Sequence, residues 1–213
     1  MSSKDFSSKI HSLDSTIKSC TLCDLHKTRT LAVPGSGSAL SGLMMIGEGP
    51  GLNEDRDGLP FVGRAGKSLD KLLSEISINR KDIFISNIVK CRPPNNRDPL
   101  PKELESCSPY LEKQIKIFNP RVIVTLGRFS LSYFFPKETI SSVRGQQIEL
   151  DGRIIFPVYH PAAALRNTKF AQILRNDFHK IPSLLVSSLR KWKMLKMISW
   201  TNWPHRLNIL ESK

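Results

Sequence analysis

RVIVTLG, residues 121–127, decides the fold class of this 213-residue chain. Val122, Ile123, Val124 and Thr125 are consecutive β-branched residues, Leu126 follows, and Gly127 stops the run. A short run of this kind, without polar alternation, reads as a buried strand. The residues before it predict a helix from about Lys102 to Phe118, and those after it a helix through Phe134. Working outward, LMMI (43–46) and IFI (83–85) read as further strands. Residues 148–159 hold a hairpin signal at Asp151-Gly152 and then a strand, RIIFPVY, that runs into His160. Leu69, Leu72, Leu73 and Ile76 lie at helical spacing within 66–77, Ile10, Leu13 and Ile17 share one face of a helix in 1–19, and a last helix is expected over 169–186. Strands alternating with helices predict an α/β domain on a mainly parallel sheet.

In such sheets ligands bind beyond the carboxyl ends of the strands. The glycine-rich turn GEGPG (47–51) follows the first strand, Asn87 follows the second, and His160 follows the last. Three segments distant in the chain thus meet on one rim, the expected place for a site. VPGSGSALSG (33–42) reads as a loop, and Pro93, Pro94, Pro99 and Pro101 make a second, rigid one around NNRD.

Thirty-two Lys and Arg against nineteen Asp and Glu leave a net charge of +13, the footprint of a polyanion binder such as nucleic acid. No apolar run is long enough to span a bilayer, and the N-terminus lacks the hydrophobic core of a secretory signal, so no membrane partner and a cytoplasmic location are expected. The organisation expected is an N-terminal helix (1–19), one domain (20–186) and a basic tail (187–213) carrying Trp192, Trp200 and Trp203. The tail reads as a helix packed on the domain, or as an appendage that stacks bases on tryptophan.

Four cysteines remain. Cys20 and Cys23 form C-x2-C, while Cys91 and Cys107 are dispersed. Where stable disulfides are rare, this set suits a four-coordinate metal or cluster site, and thiol chemistry alone admits zinc or iron–sulfur. His26, three residues after Cys23, allows a mixed Cys/His site as well.

GEGPGLNEDRDGLPFVGRAG (47–66), SNIVKCRPPNNRDP (86–99), VTLG (124–127) and HPAAALR (160–166), in this order with the four thiols, resemble the family 4 uracil-DNA glycosylases. The resemblance covers about residues 20–185. It implies a three-layer α/β/α sandwich around a central, mainly parallel four-stranded sheet, and one [4Fe–4S] cluster held by Cys20, Cys23, Cys91 and Cys107. It also implies the activity: hydrolysis of the N-glycosidic bond of deoxyuridine flipped out of DNA, which starts base-excision repair. The partner is then uracil-containing DNA, single- or double-stranded, with a monomer and contacts to other repair or replication proteins expected.

Each residue meets a physical demand of that reaction. Asn87 presents an amide complementary to uracil O4 and N3–H, whereas cytosine reverses that polarity. Phe61 is placed to stack on the base, and His160 to donate toward uracil O2 as negative charge builds there. The best-known uracil glycosylases carry an Asp and a Tyr where this chain has Gly49 and Gly51. No carboxylate therefore stands at the usual water-activating place. Glu48 is expected to line the uracil pocket and orient water or substrate, Gly49 to offer its backbone, and Glu54 to take part in excluding thymine. Leu165 and Arg166 are the expected wedge and phosphate contact. Arg64, Lys90, Arg92 and Arg97 are further candidates for phosphate.

Three rivals fit less well. A related class traps DNA through a histidine in an inserted loop, but no His lies between Cys91 and Cys107. A binding-only metal module asks for a second compact C-x2-C, and an electron carrier has nothing but the thiols to support it.

Overall fold

The computed structural model describes residues 3–38, 40–165 and 167–195. Its centre is a six-stranded sheet. The strands are β1 (Ser36–Gly37), β2 (Leu43–Gly47), β3 (Phe84–Asn87), β4 (Val122–Leu126), β5 (Ile148–Leu150) and β6 (Arg153–Val158), in the order β1-β3-β2-β4-β6-β5. The inner four, β3-β2-β4-β6, are parallel, and they are the four-stranded sheet expected. Two short antiparallel strands extend it to six. β5 closes the hairpin at Asp151-Gly152, and β1 lies within the stretch read as a loop, pairing Ser36 with Ile85 and Gly37 with Phe84. Two residues on an edge leave no periodicity to read, which is why β1 escapes a sequence-based expectation.

Alternation along the inner strands divides the core. Leu43, Met45, Val122, Val124 and Leu126 face one side, under α3 (Arg64–Glu75), α8 (Thr168–Phe178) and α9 (Ile181–Leu195). Met44, Ile46 and Ile123 face the other, under α1 (Ser3–Lys18), α4 (Pro101–Phe118) and α5 (Arg128–Phe134). The result is three layers, α/β/α. Both faces of each inner strand are covered, so β2 and β4 are buried at every residue.

Three short α-helices lie in the connections: α2 (Leu52–Asp57), α6 (Ile140–Val143) and α7 (Pro161–Ala164). The helix expected over 169–186 is two. α8 ends at Phe178, capped by His179, and Pro182 stands in the first turn of α9, where its missing N–H costs nothing. No described helix is long and apolar enough to cross a membrane. Of the tail expected at 187–213, residues 196–213 lie outside the described residues, as does Arg166.

Candidate active site

The chain runs out from β2 to β3 on one side and returns to β4 on the other, so the strand order switches at β2. A crevice at the carboxyl ends follows from that topology. Gly47 ends β2 in register with Asn87, which ends β3; Gly127 follows β4 and His160 follows β6.

Glycine at position 47 makes the crevice possible. A Cβ there would lie 2.4 Å from Asn87 Oδ1 and 2.7 Å from the Phe61 ring, so only a bare backbone lets both side chains converge. Asn87 is buried, and its Oδ1 has no hydrogen-bond partner. An unpaired buried acceptor costs about 1–3 kcal/mol unless a ligand supplies the donor. Phe61 is buried with φ at 51°, a left-handed conformation rare for a bulky residue. Local strain of this kind persists only where the surroundings dictate it. Here they do, since Gly66 in α3 packs its Cα directly against the Phe61 carbonyl. The Phe61 ring lies over the His160 imidazole, with centroids 5.6 Å apart and planes 29° apart.

His160 caps α7: its Nδ1 accepts from the backbone N–H of Ala162 at 3.1 Å. That bond assigns the proton of the neutral ring to Nε2. Burial pulls the imidazole down to about 4, against the smaller opposing pull of Glu54, so the ring is neutral at physiological pH.

Glu54 binds backbone rather than standing free in the crevice. One carboxylate oxygen accepts from the N–H groups of Val62 (2.9 Å) and Gly63 (2.8 Å), the other from Gly51 (3.1 Å). It thereby ties the start of α2 to the loop carrying Phe61. Glu48 is half-buried at the end of β2, and burial, aided by the nearby Asp98 charge and opposed by Arg128, raises its pKa. Asp98 and Arg128 are themselves an exposed ion pair that joins the Pro-rich loop to α5. Sequence reasoning had no signal for that pair, since its members are thirty residues apart. Gly49 follows Glu48 on the same turn, packed against Val89.

Leu165 is exposed just beyond α7, and Arg64 is exposed at the start of α3. Arg92 is half-buried and donates to Asn96 at 2.7 Å. Two of the cations expected at phosphates are otherwise engaged. Arg97 grips Glu103 with two nitrogens, at 2.9 and 2.6 Å. Lys90 is 1% exposed, and its Nζ donates to Asn87 O (2.6 Å), Gln114 Oε1 (2.7 Å) and Ser86 Oγ (2.8 Å). Burial pulls its ammonium down to about 8, which still leaves it charged at neutral pH.

The four cysteines, drawn from the segment after α1, the loop after β3 and α4, line one small pocket with Arg29, His26, Lys90 and Tyr110. Donors reach three of the sulfurs: Arg29 Nη1 to Cys91 at 3.0 Å, Lys90 N–H to Cys107 at 3.3 Å and Leu22 N–H to Cys20 at 3.5 Å. His26 is engaged through Nδ1 with the Cys23 carbonyl at 2.8 Å. Among the described residues, no three His, Cys, Asp or Glu side chains are grouped as the ligands of a metal ion.

The comparisons with known proteins bear on the same residues. The family model described as uracil DNA glycosylase superfamily matches residues 34–180, from the loop before β1 to the end of α8. A type-4 uracil-DNA glycosylase of Sulfurisphaera tokodaii is 48% identical over 182 residues, 81% of this chain and 83% of that protein. One of Saccharolobus solfataricus is 49% identical over 181 residues, 80% of this chain and 84% of its own length. One of Archaeoglobus fulgidus is 43% identical over 187 residues, 82% and 94%. With the family model matched over residues 34–180 and likeness of this degree over most of its length, the chain belongs to the uracil DNA glycosylase superfamily and, within it, to the type-4 uracil-DNA glycosylases.

Proposed function

We infer that this protein flips deoxyuridine out of DNA and hydrolyses its N-glycosidic bond, leaving an abasic site for base-excision repair. The observation that carries the residue-level reading is the buried, unpaired Oδ1 of Asn87, facing the same crevice as Phe61 and His160. In this reading Oδ1 accepts uracil N3–H and the amide N–H donates to O4. Cytosine would set donor against donor and leave both unpaired. Phe61 stacks on the base without reading its identity.

As the glycosidic bond lengthens, negative charge gathers on uracil O2 and the sugar becomes oxocarbenium-like. The neutral His160, its proton held on Nε2 by the cap bond, supplies a donor whose orientation is set in advance. Glu48 orients the attacking water or the substrate, and its raised pKa makes it a better proton acceptor than an ordinary carboxylate. Glu54, engaged with three backbone N–H groups, acts by shaping the loop around the base and so narrowing it against a thymine methyl. Leu165 fills the gap left in the stack, and Arg64, Arg92 and Arg166 meet phosphates. The protein works as a monomer on single- or double-stranded DNA in the cytoplasm.

The cysteine wall fits one [4Fe–4S] cluster bound by Cys20, Cys23, Cys91 and Cys107. Four sulfur donors share one pocket, and three receive the N–H hydrogen bonds that stabilise cluster-bound thiolates. When bound, such a cluster supplies cross-linking of distant segments; glycosidic hydrolysis needs no electron from it. The test of function is direct. Incubation with a uracil-containing oligonucleotide should release uracil and create alkali-labile sites, and a folded, DNA-binding protein that leaves the strand intact would overturn the assignment.

A further inference from the structure

Lys90 has no role in the chemistry above, yet among the described residues it is one of the largest side chains that are fully buried. Its three acceptors, Asn87 O, Gln114 Oε1 and Ser86 Oγ, are all neutral. An ammonium buried without a carboxylate partner is costly, so its place must return something. The ionisable groups that act on it are Cys107, Asp14 and Cys91, and Cys91 is its neighbour in the chain. Its own backbone N–H donates to the Cys107 sulfur. A single residue therefore touches the cysteine wall with its main chain and the end of β3 with its side chain.

The end of β3 is where rigidity matters. Beyond Asn87 the segment stays paired with β2's continuation through Ile88 N–H to Gly47 O and Val89 N–H to Glu48 O, both at 3.0 Å. The Asn87 carbonyl is instead taken by Lys90, in the shortest of its three bonds. Hydrogen bonds from a full charge are roughly twice as strong as neutral ones. Ser86 and Gln114, which also receive the ammonium, both donate in turn to the Pro34 carbonyl, anchoring the arrangement to the loop before β1.

We propose that Lys90 is a positioning residue for base recognition: by holding the Asn87 carbonyl it aims the Asn87 amide into the uracil pocket, and it mechanically couples that pocket to the four-cysteine wall. The proposal rests on Asn87 being the uracil-reading residue. The coupling runs through two hydrogen bonds of one residue, Lys90 N–H to the Cys107 sulfur and Lys90 Nζ to the Asn87 carbonyl, so a displacement of the cysteine wall is passed to Asn87.

The test uses Lys90→Met in the full-length holoprotein, an apolar residue of similar length that leaves every cysteine in place. Iron content and visible absorbance should match the parent. Hydrogen exchange over residues 86–89 should accelerate, inhibition by free uracil should weaken by about tenfold, and single-turnover excision should fall by about tenfold or more. Affinity for uracil-free DNA should be unchanged, which separates aiming of Asn87 from general loss of structure. If Lys90→Met does not fold, Gln114→Leu takes its place; it removes one anchor of the ammonium and should show the same changes to a smaller degree. Parent-like exchange and uracil inhibition in the folded variant overturn the proposal. A parent that excises no uracil overturns the functional reading instead, and the exchange measurement still judges the Lys90 tie.

Discussion

His160 is held in its neutral form by geometry as much as by burial. Its Nδ1 accepts from Ala162 N–H, so a proton there would set donor against donor and break the cap of α7. With the folded imidazole down at about 4 and an unfolded one near 6.5, the unfolded chain takes up the proton first. The stability held by the neutral ring is therefore complete above about pH 6.5 and lost as the pH falls toward 4, by on the order of 3 kcal/mol. Urea titrations from pH 8 to 4 should show that slope in the parent and lack it in His160→Gln. Single-turnover excision should likewise carry no His-dependent limb near pH 6.5. His160→Ala should lose about 10²–10³ in the chemical step while still binding uracil-containing DNA; an unchanged single-turnover rate would remove His160 from the mechanism. Asn87 and His160 were legible in the sequence because each follows a strand at the same end of a parallel sheet. The proton's place on Nε2 was not, since it depends on where the Ala162 N–H points.

At the scale of elements, the loop from α2 to α3 is set by Glu54 and two glycines. Glu54→Ala frees three backbone N–H groups at once and should cost about 1–3 kcal/mol in denaturant unfolding, with the Phe61 loop the first region to lose protection in hydrogen exchange. The carboxylate was expected to act on thymine. Its hydrogen bonds are with the backbone N–H groups of Gly51, Val62 and Gly63. Gly47→Ala is a sharper probe: the added methyl would overlap Asn87 Oδ1 and the Phe61 ring, so excision should fall by at least about tenfold, in a protein whose melting temperature drops by only a few degrees. A Gly47→Ala variant with full activity would place the base elsewhere. Helical and strand periodicity predicted α3, α4 and β4 closely, whereas the break between α8 and α9 depended on a single proline, and β1 on pairing with β3 alone.

Across the whole molecule, charge and the cysteine wall act at long range. A net +13 draws the chain to DNA through counterion release, so kcat/KM on oligonucleotides should decline steeply with salt. Arg64→Ala should reduce the slope of log affinity against log salt by about 1 if that exposed residue meets a phosphate, and leave it unchanged if it does not. Cys107→Ser should abolish bound iron and lower the melting temperature, because this wall links α1, the loop after β3 and α4.

What the sequence determined by itself was the class of fold, the rim on which the site lies and the residue types available there. These follow from local quantities: strand runs without polar alternation, helical spacing, glycines and prolines at ends, and motifs in a set order. The tertiary structure alone decided which residues share a partner. Lys90 and Arg97 look like surface cations in a basic stretch, yet one is buried beneath Asn87 and the other is closed on Glu103. Chain neighbours do not reveal this, because burial and pairing depend on what distant segments bring: Gln114 from α4, Pro34 from the loop before β1, and Gly47 from the adjacent strand, whose missing side chain leaves room for Asn87 and Phe61 to meet.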